Sequence, residues 1–274
     1  MRMMTRRLIR RLGSILAVSG LLAACAPVQT TRSGLVGVQR PQYMTSLVSE
    51  AQLEQQAAQQ YAQVLAQARA QGALDTPAAQ AARVQNIARR LIAQVGVFRP
   101  DAAAWNWEVH LLRSPDVNAW CMPGGKMAVY SGMIDKLNPT DDELAAVLGH
   151  EIAHALREHA REQVSQQMAT GIGLSVLAAV TGSQATADLG STLANVMFTL
   201  PNSRSHETEA DRMGVELAAR AGYDPHAAVS LWQKMGRVSA GGPPEILSTH
   251  PSSQSRIQDL ERAAQQVMPL YQKR

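Results

Sequence analysis

Two histidines and a glutamate stand close together in the stretch VLGHEIAHAL, as His150, Glu151 and His154. On a helix with about 3.6 residues per turn, positions four apart lie on nearly the same face, so both imidazoles can reach one metal ion. Glu151 lies beside them and can contact a water on that ion. This H-E-x-x-H spacing is typical of zinc proteases. Taken alone, it also permits a chance match in which two core histidines bond to backbone carbonyls.

A catalytic zinc of this kind needs a third protein ligand and an open coordination position. Downstream, SRSHETEADRMG places Glu207 and Asp211 four residues apart, again on one helical face. Glu207 is the candidate third ligand, and Asp211 is predicted to hydrogen-bond the far nitrogen of a ligating histidine. Glu209 is predicted to point elsewhere. The alternative is a solvated acidic helix start, stabilised by the helix dipole.

His250 precedes a proline in STHPSSQSRI, which predicts a turn rather than a helix interior. Three roles stay open, because the loop sequence gives no geometry: a donor to the oxyanion formed during hydrolysis, a fourth zinc ligand that closes the open position at rest, and a surface histidine near a helix cap. His159 is predicted to face away from zinc. His110, His206 and His226 are predicted to have ordinary surface or core roles.

The elements that position these residues are mainly helical. Composition and apolar periodicity predict helices at about 46–71, 77–95, 141–162, 206–221, 225–239 and 252–268. Thr140 and Glu143 stand at capping-box spacing and predict the start of the helix that carries His150. The uncharged stretch 169–182 is too short to cross a membrane, and a packed helix is favoured over a membrane-contacting lid.

Three short extended stretches predict a small sheet beside these helices. Apolar residues alternate along 105–112, and two further extended pieces flank the PGG turn at 123–125. Asn118, Ala119 and Trp120 are candidates for an edge strand that pairs with a substrate backbone. The alternative is that these residues, especially Trp120, pack in the core.

The first part of the chain resembles the leader of a bacterial lipoprotein. Five arginines precede an apolar run that is too short to span a bilayer, and Leu22-Ala23-Ala24-Cys25 resembles a lipobox. The resemblance implies that residues 1–24 are removed, that Cys25 is lipidated and that 25–45 form a lipidated tether. An ordinary secretory signal with an incidental cysteine is the alternative.

The formal net charge of +4 resides in this leader, and the rest of the chain has nearly equal numbers of basic and acidic residues. A nucleic-acid partner is therefore not expected. If Cys25 carries lipid, Cys121 has no partner for an internal disulfide, and we predict it to be a small buried hydrophobic residue. Ala26 after the lipidated cysteine implies sorting to the outer membrane.

Four ordered motifs resemble the metallopeptidase family of the CAAX prenyl proteases and the heat-shock protease HtpX. They are NAWCMPGGKMAVYSGMI, HEIAHALREH, SRSHETEAD and THPSSQSRI. The similarity covers roughly residues 80–262 and is nearest to periplasmic lipoprotein members. It implies a gluzincin fold, one zinc ion held by His150, His154 and Glu207, and Glu151 as the catalytic base. The expected fold is α+β and mainly α: residues 46–274 would place helices around a three-stranded sheet, with the zinc cleft between.

The resemblance implies a zinc endopeptidase at the outer membrane, facing the periplasm. Its partners would be unfolded or misfolded envelope proteins as substrates, the membrane through the lipid, and outer-membrane or chaperone proteins. The rival hypothesis is a chaperone-like or scaffolding lipoprotein with a structural zinc, or a zinc capped by His250. Glu151 favours the enzyme, because a structural zinc needs no carboxylate beside an open position. A passive lipoprotein without metal would require Glu207 and both histidines to be coincidental.

Overall fold

The computed structural model describes residues 25–174, 182–238, 246–250 and 254–272. The predicted leader at 1–24 and residues 175–181 of the uncharged stretch lie outside these described residues. The strands are β1 (Cys25–Val28), β2 (Gln42–Thr45), β3 (Glu108–Leu112), β4 (Ala119–Met122) and β5 (Lys126–Tyr130). The helices are α1 (Glu50–Ala70), α2 (Ala78–Ile92), α3 (Ser131–Leu137), α4 (Asp141–Leu156), α5 (His159–Leu174), α6 (Gly182–Phe198), α7 (Arg204–Arg220), α8 (Ala227–Val238), the single turn α9 (Ile246–Thr249) and α10 (Gln254–Gln272).

The prediction of a mainly helical α+β fold with a small three-stranded sheet is confirmed. The predicted helices agree with the observed ones within a few residues at most ends, whereas α3, α6 and α9 were not predicted. Two short 3-10 helices, Val95–Val97 and Pro100–Ala104, lead into β3. None of the described helices combines the length and the apolar composition needed to span a bilayer.

The sheet has the strand order β3-β5-β4, with β3 parallel and β4 antiparallel to β5. Alternation along β4 divides its side chains between two cores: Ala119 and Cys121 face one that includes α4 and α7, while Trp120 and Met122 face one that includes α1. Because β4 lies at an edge of the sheet, its outer backbone groups are turned away from β5. Cys121 is buried, as predicted.

Helix α4 is the central element and packs most closely against α7. Thr140 and Glu143 form the predicted capping box at its start. The two helix backbones nearly touch where each carries a glycine: a Cβ on Gly149 would lie 2.8 Å from the Gly214 carbonyl oxygen, and a Cβ on Gly214 would lie 2.7 Å from the His150 nitrogen. This close approach brings the face of α4 that carries His150 against α7.

The prediction of one continuous helix over 141–162 is wrong. Helix α4 ends at Leu156, Glu158 adopts the left-handed conformation with φ 51°, and α5 then begins at His159. Arg99, far away in sequence, donates to the Leu156 carbonyl oxygen at 3.4 Å and pairs with Glu158 at 2.8 Å. These contacts satisfy the helix end and stabilise the break, so the chain changes direction beside the metal-binding motif.

The prediction that 25–45 form a tether is also wrong for the segment that the structure describes. Strands β1 and β2 pair as an antiparallel hairpin. Between them, the backbone N–H groups of Leu35 and Val36 donate to one carboxylate oxygen of buried Glu216, at 2.7 and 3.0 Å. Arg40 pairs with buried carboxylates on α5 and α7. The segment packs on the domain because its polar groups find buried partners there.

Candidate metal centre

Four buried side chains lie close together: His150 and His154 from α4, Glu207 from α7, and His250 directly after α9. One ligand atom from each lies within 4.8 Å of all the others. His150 Nε2 is 3.0 Å from His154 Nε2 and 3.2 Å from His250 Nδ1, which in turn is 2.9 Å from Glu207 Oε1. The structure thus brings together the three ligands named from sequence and adds His250 to them.

The protonation states of two of these groups suit metal binding. Burial lowers the pKa of His154 to about 3, so its imidazole is neutral. Although burial opposes it, the charge and hydrogen bonds of His250 and His154 hold the pKa of Glu207 well below its ordinary value. A metal ion needs neutral imidazoles and an ionised carboxylate, which is the state of these groups near neutral pH.

The Asp211 carboxylate lies behind His150, with Oδ1 2.9 Å from the His150 Nδ1 atom. This is the position predicted for it. Arg256 on α10 clamps that carboxylate through Nε at 2.6 Å and Nη2 at 2.7 Å. Its third nitrogen, Nη1, lies 2.8 Å from Glu207 Oε2, and Trp232 lies under the guanidinium at 3.6 Å. Arg256 therefore contacts both the candidate ligand Glu207 and Asp211, the partner of the candidate ligand His150.

Arg256 was missed from sequence. It is the arginine of THPSSQSRI, one of the motifs that carry the family resemblance, so the signal was present. Its two carboxylate partners lie more than forty positions upstream on another helix. Sequence spacing along one element cannot reveal such a pair.

His159 lies next to the metal centre, so the prediction that it faces away is wrong. Its Nδ1 is 2.8 Å from His154 Nδ1, and its Nε2 is 3.0 Å from Glu209 Oε2. The error follows from the helix break before α5, because the predicted angle assumed a continuous helix. Glu209 itself lies outside the ligand group, as predicted.

The three remaining histidines lie outside the ligand group that the described residues form. His206 is buried against Glu162 at 3.1 Å, and His110 lies 2.7 Å from Asp75. His226 is exposed beside an aspartate on the surface. These are the ordinary core and surface roles expected of them.

The carboxylate of Glu151 lies beside the ligand group and faces a cleft. Its Oε1 is 3.6 Å from His250 Nε2 and accepts no hydrogen bond from the residues that the structure describes. Burial raises the pKa of Glu151, and His250 and His150 partly offset that effect. A buried carboxylate oxygen left without a donor is suited to receive a proton from a water or a substrate.

The cleft contains about 810 Å³ of space outside protein atoms, part of it open to solvent, and Glu151, His154 and His250 lie in its wall. The remaining wall is largely apolar and includes Leu53, Trp105, Ala160, Val196, Met197 and Phe198. The cleft therefore joins a largely apolar surface to the polar groups of the metal centre.

The three candidates for a substrate-binding edge, Asn118, Ala119 and Trp120, line this cleft. The Trp120 ring, however, packs edge-on between Tyr61 and Phe198, with centroids 5.8 and 5.5 Å away. Its side chain therefore has the core role weighed as the alternative. Pairing of the β4 backbone with a substrate stays a prediction.

His250 is not a surface residue, which removes one of its three roles. It is 5% exposed, its N–H donates to the Ile246 carbonyl oxygen at 2.9 Å, and its ring lies inside the ligand group. One of its ring nitrogens lies within 4.8 Å of the candidate ligand atoms of His150, His154 and Glu207. The geometry therefore favours a fourth metal ligand over an oxyanion donor that does not bind the metal.

Residues 78–264 match the family model described as peptidase family M48. The match spans more than half of the chain and includes all four members of the ligand group together with Glu151. The chain belongs to peptidase family M48. The resemblance inferred from the four motifs is thereby confirmed.

This M48 chain is similar to several curated metalloendopeptidases. It is 36% identical over 158 residues to the mitochondrial metalloendopeptidase OMA1 of Arabidopsis thaliana, which covers 58% of this chain and 32% of the relative. It is 38% identical over 183 residues to the mitochondrial metalloendopeptidase OMA1 of Bos taurus, covering 62% and 35%. The similarity to the beta-barrel assembly-enhancing protease of Escherichia coli is 35% over 175 residues, covering 58% and 35%. The chain spans about a third of the length of these relatives.

The ligand group fits zinc. Its donors are imidazole nitrogens and one carboxylate oxygen, the set that zinc takes in catalytic sites of metallopeptidases. Beside these donors lies Glu151, whose Oε1 has no hydrogen-bond partner among the described residues, as the general base of such a site requires. The M48 chain is a zinc metallopeptidase, and His150, His154, Glu207 and His250 form the group that could hold one zinc ion.

Proposed function

We propose that this M48 chain is a zinc-dependent endopeptidase that hydrolyses unfolded or misfolded proteins of the bacterial envelope. The observation that carries the proposal is the buried Glu151 carboxylate, which faces the cleft beside the ligand group with one oxygen uncommitted. Membership of a peptidase family and similarity to named metalloendopeptidases support the peptidase activity.

The chemistry assigned to the chain's own residues is proton transfer and orientation. Zinc, when bound, supplies Lewis-acid activation of water and of the scissile carbonyl. Glu151 accepts the proton of the attacking water and passes it to the departing amine nitrogen. Burial raises the pKa of Glu151, which suits a group that must act first as a base and then as an acid. Asp211 and Arg256 hold His150 and Glu207 in orientation.

The position of β4 supports the proposed substrate class. An extended polypeptide can pair with this edge strand through backbone hydrogen bonds, which gives affinity with little sequence preference. The apolar wall of the cleft adds contacts for side chains that folded proteins keep buried. These two features support unfolded chains as substrates.

The envelope location rests on the leader and on one of the relatives. The lipobox-like Leu22-Ala23-Ala24-Cys25 supports a lipid anchor on Cys25 in the outer membrane, with the domain facing the periplasm. The name of the Escherichia coli relative, a beta-barrel assembly-enhancing protease, supports β-barrel proteins as partners, and the proposed outer-membrane anchor would place the chain beside other outer-membrane and chaperone proteins. The OMA1 relatives are mitochondrial by name, so the location is argued from the leader first.

The test compares casein cleavage over time by the zinc-loaded chain from Ala26 and by its Glu151→Gln variant at equal zinc content. The parent is expected to cleave casein and the variant to cleave none, since the glutamine amide would accept no proton from the attacking water. If neither cleaves while both hold zinc, the peptidase proposal fails.

A capped or scaffolding zinc protein is the second candidate, and the position of His250 inside the ligand group favours it. In that case the fourth position is filled and the chain would bind unfolded proteins in the cleft without cutting them. Binding of casein without cleavage, by both the parent and a variant lacking the His250 imidazole, would support this candidate.

A further inference from the structure

A chain of hydrogen bonds leads away from His154 on the side opposite the metal centre. His154 Nδ1 lies 2.8 Å from His159 Nδ1, and His159 Nε2 lies 3.0 Å from Glu209 Oε2. All three side chains are buried. His150 differs, because its Nδ1 meets the Asp211 carboxylate directly, at 2.9 Å. His150 thus contacts a carboxylate directly, whereas His154 contacts one through a second histidine.

The hydrogen bonds fix the direction of each proton in this chain. Guanidinium groups of Arg157 and Arg40 donate to the Glu209 carboxylate, so this group acts as an acceptor and His159 donates to it through its Nε2–H. The neutral ring of His159 then presents a lone pair at Nδ1, which accepts the Nδ1–H of His154. That leaves the lone pair of His154 on Nε2, the atom that lies 3.0 Å from His150 Nε2 in the ligand group. The chain thereby selects the tautomer of His154 that binds metal.

Two arginines hold the Glu209 carboxylate in place. Arg157, whose side chain is fully buried, reaches Oε2 with Nη2 at 3.0 Å. Arg40 reaches Oε1 with Nε at 2.8 Å, and its own carbonyl oxygen accepts from Arg157 Nη2 at 2.9 Å. Arg40 belongs to the N-terminal segment 29–42, which runs from the end of β1 to the start of β2. This segment therefore contacts Glu209, the last residue of the chain that begins at His154.

The ring plane of His159 is fixed by a second histidine. His206 stacks on it with centroids 4.3 Å apart and an interplanar angle of 11°. His206 is itself held by Glu162 at 3.1 Å, and Glu162 pairs with Arg40 at 2.8 Å. Both rings are buried, and each contacts a carboxylate at its edge, which restricts rotation of His159 away from His154.

We propose that His159, Glu209 and Arg40 are positioning residues for the zinc ligand His154, and that the N-terminal segment 29–42 is thereby part of the metal centre. The inference rests on the same zinc site as the proposed function. It concerns the affinity for zinc and the tautomer of a ligand, both of which can be measured without any cleavage assay.

The first test measures zinc affinity by competition with a chromogenic chelator. His159→Phe keeps the ring stack and removes both nitrogens, and Glu209→Gln removes the charge that orients them. Each is expected to weaken zinc binding by about tenfold or more. His159→Gln should recover part of the loss, since its amide oxygen can accept from His154. Arg40→Gln should weaken binding by a smaller factor.

The matched control is His110→Gln. It removes an imidazole that lies 2.7 Å from the Asp75 carboxylate, a contact of the same kind outside the ligand group. Its zinc affinity should equal that of the parent. If His159→Phe and Glu209→Gln also bind zinc as tightly as the parent, the inference is overturned.

A second measurement uses the parent alone, so it holds even if a variant fails to fold. Nitrogen NMR of the zinc-loaded, histidine-labelled protein should show the proton of His154 on Nδ1 and that of His159 on Nε2. A proton on Nδ1 of His159 would contradict the inference. A chain with these tautomers that cleaves nothing would sink the proposed function alone, whereas cleavage with unchanged variant affinities would sink this inference alone.

Discussion

His250 is the member of the ligand group whose role the sequence leaves open. Its imidazole lies within the ligand group, with Nδ1 2.9 Å from Glu207 Oε1 and Nε2 3.6 Å from Glu151 Oε1. A fourth ligand at that position blocks the place that a substrate carbonyl and water require. The position of one side chain thus decides whether the resting centre is open or closed.

We predict that His250→Ala raises the basal turnover of casein and weakens zinc binding, because it opens the fourth position and removes a ligand. Initial rates at saturating zinc, with the zinc content measured, test this. His226→Ala is the control, since His226 is exposed and lies outside the ligand group. A fall in turnover of about a hundredfold or more would instead identify His250 as an oxyanion donor.

Arg256 offers a second prediction for a single residue. Arg256→Lys keeps the charge but loses the two-pronged contact with Asp211, and one ammonium cannot also reach Glu207. We expect about tenfold weaker zinc binding. We also expect a loss of about 1–3 kcal/mol in the free energy of unfolding. Chelator competition and urea unfolding measure the two.

Arg212→Lys is the matched control for this substitution. Arg212 makes the same two-pronged contact with Asp259, also between α7 and α10, but its side chain is 38% exposed. The exposed pair should contribute less than about 1 kcal/mol and leave zinc binding unchanged. Equal effects of the two substitutions would show that Arg256 acts only as a link between the helices.

The zinc ligands could be predicted from sequence because their spacing is local. His150 and His154 share one helical face, and Glu207 and Asp211 share another, so periodicity alone pairs them. Arg256 and His159 could not be found in this way. Their roles depend on contacts between elements distant in sequence and, for His159, on a helix break stabilised by Arg99.

At the level of elements, the metal centre depends on how closely α4 and α7 approach. Gly149 and Gly214 let the two backbones touch, and a Cβ on Gly214 would lie 2.7 Å from the His150 nitrogen and 3.0 Å from its Cα. Since these atoms are backbone, no side-chain rotation can relieve the clash. The distance between His150 and Glu207 therefore depends on the absence of one methyl group.

We predict that Gly214→Ala lowers the free energy of unfolding by about 1–3 kcal/mol, because it forces the helices apart. It should also weaken zinc binding, since Glu207 moves with α7. Gly236→Ala on α8 is the control. Apart from its chain neighbours and the nearby backbone of its own helix, no atom of the described residues lies within 4 Å of the added Cβ, so the change should be neutral or stabilising by up to about 1 kcal/mol. Urea unfolding and zinc titration of both variants test this prediction. Equal stability of the two variants would contradict the role given to the contact between Gly149 and Gly214.

The central helix and the sheet could also be predicted from sequence, because a capping box and alternating apolar residues are local signals. The N-terminal segment could not. Its residues have no sustained period, and it is ordered by single contacts with remote carboxylates, such as the two N–H bonds from Leu35 and Val36 to Glu216. Because the contacts that order this segment come from remote residues, its own sequence has the pattern of a linker.

For the molecule as a whole, the buried centre limits which substrates can be cut. The ligand group and Glu151 are at most 8% exposed, and the cleft beside them has β4 along one wall. Under the proposed function, a compact protein would not present a peptide bond there, whereas an extended chain would lie against β4. We therefore expect cleavage to depend on the conformation of the substrate more than on its sequence.

The sharpest test uses one substrate sequence in two conformations: a small disulfide-bonded protein in its native form and after reduction and alkylation. Because folded proteins populate the unfolded state at roughly 10⁻³ to 10⁻⁶, the native form should be cut at least about a thousandfold more slowly than the unfolded form. Initial rates at equal substrate concentration measure the ratio, and Glu151→Gln controls for contaminating proteases. Similar rates for both forms would contradict entry of an extended chain along β4 and would require another route to the metal centre.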